Sequence, residues 1–105
     1  MRPYPLSATP MPVHVALLTV DLRLPEAQTL KDKRQVLQSL LTRLGTRFNV
    51  SAAEVAHNDE HTRAQIAVAC VGNSVQHCAE VLDNVLRLIE AEDRAEVIAV
   101  EREEL

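Results

Sequence analysis

The sequence predicts an α+β fold in one domain: element order β-α-β-β-α-β, a four-stranded antiparallel sheet, and two helices on one of its faces. Three observations predict it. Residues 29–48 and 75–90 carry leucine, valine and isoleucine at the helical period. Four shorter runs rich in β-branched residues or alanine flank and separate those two segments. The two middle runs are joined by the polar stretch Asn58-Asp59-Glu60-His61-Thr62, a hairpin length, whereas the other connections contain the helices.

The first strand is expected over Val13 to Leu24, bounded by Pro12 and Pro25. Its apolar alternation runs through Val13, Val15 and Leu17, then continues in the opposite phase through Leu18, Val20, Leu22 and Leu24. That pattern predicts a bulge, or burial on both faces, near Leu17. After the loop Pro25 to Gln28, Thr29 is the expected N-cap of the first helix, and Asp32 stands where a capping box needs its acid. Leu30, Leu37, Leu41, Leu44 and Phe48 form the core stripe with Leu40 beside it, and the helix should end near Arg47. Val50 to His57 and Arg63 to Val71 are the two hairpin strands. Gly72-Asn73-Ser74 breaks the second of these, and Ser74 caps a helix in which Val75, Ala79, Leu82, Leu86 and Ile89 recur at helical spacing. Val97 to Arg102 reads as the last strand, with Ile98 and Val100 on one side. Together these elements describe the split βαβ, or ferredoxin-like, arrangement.

The 105 residues suffice for one core and leave no room for a second domain. Residues 13–105 form that domain, and residues 1–12, with Pro3, Pro5, Pro10 and Pro12, read as a flexible extended leader without the apolar region of a signal peptide. No apolar run has the length of a membrane span. Cys70 and Cys78, the only cysteines, lack a C-x-x-C spacing and read as structural thiols in a reducing, cytoplasmic setting.

The formal net charge is −4, which argues against coating nucleic acid by wholesale phosphate neutralisation. Charge is nevertheless segregated. Arg23, Lys31, Lys33, Arg34, Arg43 and Arg47 dominate the first half, while carboxylates crowd the C-terminal end. Lys31, Lys33 and Arg34 sit in the first turns of the first helix, where the macrodipole favours acids and free N–H groups favour anions. A phosphate site built from Lys31, Lys33 and Arg34, extended by Arg43 and Arg47, is the functional candidate. The competing reading lays the same long stems along the core edge with their heads in water.

Enzymatic chemistry finds little support. With Gly45 and Gly72 the only glycines, no glycine-rich phosphate loop can be built. His77 and Cys78 are adjacent on a helix and point about 100° apart, which prevents simple pairing of base and nucleophile. His57, Asp59 and His61 could be drawn as metal ligands, but the turn-forming residues between them favour a polar hairpin tip. Neither a cofactor, a metal nor a small-molecule substrate is expected. Aromatics make up 2% of the chain, and strand positions that stack bases in RNA-recognition modules hold Ala67, Ala69 and Val71 here. With Ala99 these residues would instead give an apolar interaction face on the uncovered side of the sheet.

Pro25-Glu26-Ala27, Leu30-Lys31-Asp32-Lys33-Arg34, Arg47-Phe48-Asn49-Val50-Ser51, Ala53-Glu54-Val55, His57 and Asp59, taken in order, resemble the YlxP-like family of small bacterial proteins. The resemblance runs from about Val13 to the C-terminus. It implies a ferredoxin-like fold, a bacterial cytoplasmic setting, no enzymatic activity, and a ribosome-binding role near small-subunit maturation. It brings no catalytic residues. Two functions follow as expectations: a non-catalytic factor contacting the small ribosomal subunit or structured RNA through the basic helix start, or a homodimeric protein-interaction module that uses the open sheet face and binds no RNA.

Overall fold

The computed structural model describes residues 12–105, so the expected leader lies outside the described residues except for Pro12. The elements are β1 (His14–Arg23), α1 (Leu30–Arg47), β2 (Val50–Ala56), β3 (Arg63–Gly72), α2 (Val75–Glu90) and β4 (Glu96–Glu104). They form one antiparallel sheet in the order β2-β3-β1-β4, the ferredoxin-like arrangement.

One face of the sheet makes the core. Ala16, Leu18, Val20 and Leu22 of β1 are buried, and so are Ala64, Ile66, Val68 and Cys70 of β3. Leu18 stands opposite Val68 and Val20 opposite Ile66. Onto this surface α1 lays Val36, Leu37, Leu40 and Leu44, while α2 lays Cys78, Leu82, Val85 and Ile89. Both helices therefore cover the same face, and the other face is left uncovered. No described helix is long and apolar enough to cross a membrane.

Of the two readings near Leu17, the bulge does not occur, and apolar residues half-buried on the second face account for the pattern. β1 keeps an unbroken register with β3 from His14 to Arg23. Val15 and Leu17 are simply the apolar residues of the uncovered face, so two faces of one regular strand produce the apparent change of phase. The bulges fall elsewhere. In β4, Val97 pairs with Leu22 and Ala99 with Asp21, leaving Ile98 without a partner. Ile98 and Val100 thus do not continue one uninterrupted alternation. In β2 the skipped residue is Val55, between Glu54 opposite Ile66 and Ala56 opposite Gln65.

The start of α1 follows its sequence closely. Thr29 is the N-cap in extended conformation, and its hydroxyl accepts from the Asp32 N–H at 3.1 Å. Asp32 Oδ2 in return accepts from the N–H of Thr29 at 3.2 Å and of Gln28 at 3.0 Å. These bonds, the one from Gln28 foremost, hold the Asp32 carboxyl below its ordinary pKa. At the other end the Phe48 N–H donates to the Leu44 carbonyl and the chain turns extended into β2.

Candidate functional site

The five basic candidates separate into three situations. Lys33 is fully buried. It lies on the core-facing stripe of α1, four residues before Leu37, and its stem runs inward. Nζ ends among oxygens of the β2–β3 hairpin: Glu54 Oε2 at 2.9 Å and the carbonyls of His57 at 2.8 Å, Arg63 at 3.2 Å and Asn58 at 3.4 Å. His57 adopts φ 64°, in the left-handed region, at this hairpin. Lys33 is therefore removed from the candidate phosphate site, because an ammonium with no exposed surface and its donors already engaged cannot meet a ligand.

Arg43 is half engaged. Its Nη2 donates to Glu92 Oε1 at 2.6 Å, and the same carboxylate receives Arg94 through Nη2 at 2.8 Å, Nε at 2.9 Å and the backbone N–H at 3.0 Å. Glu92 is 8% exposed, and these bonds, chiefly those from the Arg94 side chain, depress its pKa to about 2. The cluster ties α1 to the turn between α2 and β4.

Lys31, Arg34 and Arg47 are exposed and make no ion pair among the described residues. At the start of α1 the cap takes up the N–H groups of Gln28, Thr29 and Asp32, and the Asp32 carboxylate it holds there competes with any anion for the terminus. Lys31 and Arg34 share the solvent side of the helix, whereas Arg47 lies about 160° around the axis from Lys31, at the helix end beside Asn84 and Arg87 of α2. The exposed residues of α1 are Lys31, Arg34, Gln35, Gln38, Thr42, Gly45, Thr46 and Arg47, a surface without a carboxylate. Its one acid, Asp32, is turned back into the cap.

Ala67, Ala69 and Val71 do come together on the uncovered sheet face. Ala67 lies between Ala53 and Thr19, Ala69 between Ser51 and Leu17, and Val71 beside Val15. Val71 is 60% exposed. Ala99 stands apart: β1 separates it from the other three, and its partner Asp21 accepts a hydrogen bond from Gln65 Nε2 at 2.7 Å.

Of the remaining candidates, His57 Nδ1 faces Glu60 Oε1 at 3.3 Å within the hairpin. Among the described residues no group of three His, Cys, Asp or Glu side chains could hold a metal ion. Cys70 and Cys78 are buried in the core, and burial pushes the Cys70 thiol up. A concavity of about 480 Å³ lined by Pro25, Glu90, Glu92, Asp93, Ala95, Glu96 and Val97 is rich in carboxylates and unsuited to phosphate.

The family profile described as Protein of unknown function (DUF503) matches residues 15–102. The chain belongs to this family. It is 36% identical over 66 residues to the uncharacterized protein YlxP of Bacillus subtilis (strain 168), an alignment covering 63% of this chain and 72% of that protein. In three dimensions it is similar to the de novo designed protein Foldit4, with a TM-score of 0.51 at 15% identity over 89% of this chain and 96% of that one. That likeness concerns the fold alone. A C-terminal segment of the alpha subunit of aIF2 from Pyrococcus abyssi aligns with a TM-score of 0.49 at 14% identity, over 87% of this chain and 52% of that one.

Proposed function

We propose that this DUF503 protein is a non-catalytic factor that binds structured RNA, with the small ribosomal subunit as its setting, through the solvent side of α1. The observation that carries the reading is the composition of that surface. It offers Lys31 and Arg34 with Gln35, Gln38, Thr42 and Thr46 on the same side and no exposed acid, while Arg47 adds a third exposed cation at the far end of the helix. Cations and neutral donors suit phosphate and ribose oxygens, and contacts of this kind position a protein without reading sequence. The segregation of carboxylates to the β4 side keeps the net charge of −4 away from the interface.

Co-sedimentation with small ribosomal subunits tests it. Three phosphate contacts predict a logarithmic salt slope of about −2.1 to −2.7, hence roughly twenty- to fortyfold weaker binding at 200 mM than at 50 mM salt. A variant carrying Lys31→Glu, Arg34→Glu and Arg47→Glu should lose both the binding and the salt dependence. Binding that survives these changes, or that ignores salt, would remove α1 as the contact.

A second reading rests on the contiguous apolar patch of Val15, Leu17, Ala67, Ala69 and Val71. In it the uncovered faces of two copies pack together and the protein binds no RNA. Sedimentation equilibrium should then give twice the chain mass, reduced to one chain by Ala69→Glu. A monomer at all concentrations would dismiss this arrangement.

A further inference from the structure

Arg23 and Arg63 are register partners on β1 and β3. Both flank buried residues of the core face, Leu22 and Leu24 on one strand and Ala64 on the other, so alternation places both on the uncovered face. Like charges directly opposite each other destabilise a sheet. Relief reaches Arg23 alone, from Glu96 directly opposite it on β4. Neither guanidinium makes an ion-pair contact among the described residues. Asp21, one rung inward, accepts from Gln65. The Arg63 carbonyl is held by Lys33 Nζ at 3.2 Å, whose charge is met by Glu54 on the core side. Arg63 Nε is buried and without a hydrogen-bond partner. An unmet donor of this kind is costly, and a guanidinium is the donor best matched to a tetrahedral oxyanion.

We propose that Arg23 and Arg63 together form an anion site that takes a phosphate group at this end of the open sheet face. The oxygens engage the outer nitrogens of both guanidinium groups. That draws Arg63 outward and gives its Nε a partner. The site lies on the opposite side of the sheet from α1 and does not depend on the helix contact. Its ligand is a phosphate monoester or free phosphate, or a phosphodiester of an RNA strand.

The test follows the arginine Nε–H resonances of the isotope-labelled full chain during titration with potassium phosphate, against potassium chloride at equal ionic strength. Phosphate should move the Arg23 and Arg63 signals where chloride does not, with affinity at least about tenfold weaker in Arg23→Gln, the loss of one charge-assisted contact. Arg23 is exposed, so this variant keeps the fold even where Arg63→Gln does not. If phosphate leaves both signals unmoved but a short oligoribonucleotide moves them, the phosphodiester is the source. Silence toward both ligands overturns the site. So does a response that disappears in the Lys31→Glu, Arg34→Glu variant, since the signal would then originate at α1. The helix reading can fail in co-sedimentation while this titration succeeds, and the reverse.

Discussion

Replacing Lys33 by alanine should cost roughly 3–5 kcal/mol of folding stability, the loss typical when one partner of a buried charge pair is removed. The reason is the neighbourhood left behind. Glu54, only 19% exposed at its side chain, would keep a carboxylate facing no cation, and the carbonyls of His57, Asn58 and Arg63 would lose their shared donor. The stem also fills core space beside Val36 and Leu37. Lys33→Met separates these contributions, because it restores most of the packing and none of the charge. It should recover a minority of the loss, and adding Glu54→Gln should recover more by removing the unpaired charge. Urea unfolding at unchanged m-value is the measurement. A cost below about 1 kcal/mol for Lys33→Ala would show that the hairpin does not depend on this amine.

The same residue marks the boundary of what the sequence reveals. Its position beside the apolar stripe is readable from the helical period, but its four acceptors lie 21 to 30 residues further along the chain. No local pattern supplies them. The cap at Thr29 and Asp32 was legible because all its partners fall within four residues. The consequence of that cap, a carboxylate competing with any anion for the helix terminus, follows only when both Asp32 contacts are seen. Pairing of Arg43 with Glu92 spans 49 positions and is equally silent in the sequence. Element order was readable, since each helix and strand carries its own period. The phase change in β1 leaves a bulge and burial on both faces indistinguishable in the sequence, because apolar residues on two faces of one strand sum to the pattern of an interrupted strand. The bulges at Ile98 and Val55 leave no glycine or proline to mark them. The facing arginines on β1 and β3 appear only once register is fixed.

The basic candidates divide along the same line. Long-range pairing turned Lys33 into a structural lock and Arg43 into part of a strap between α1 and the α2–β4 turn. Lys31 and Arg34 on the solvent side of α1, and Arg47 at its end beside α2, make no such pair and stay open to a ligand. A helix that needed these cations for stability would place carboxylates four residues away on its surface, and α1 places Gln35 after Lys31 and Gln38 after Arg34 instead. That choice leaves the positive charge uncompensated by its own helix, as a polyanion contact requires.

Glu92 should make the fold acid-sensitive in a defined window. Its carboxyl titrates near 2 in the folded protein against an ordinary 4.5, so between these values the unfolded chain binds the extra proton. Stability from this group is therefore complete above about pH 4.5 and is lost as pH falls towards 2. The full shift would correspond to about 3 kcal/mol. Arg43 and Arg94 have side chains 42% and 52% exposed, so solvent screening reduces this to about 1–2 kcal/mol. Asp32 is also depressed, which makes the wild-type curve alone insufficient. Comparison with Glu92→Gln isolates the group. Urea unfolding of both proteins from neutral pH downward should show a stability difference that is constant above about pH 5 and shrinks steadily as the carboxyl protonates in the wild type. The neutral amide still accepts from one arginine, so the variant remains folded at neutral pH. A difference that stays constant down to the acid limit would mean that Glu92 holds the two arginines by geometry rather than by charge.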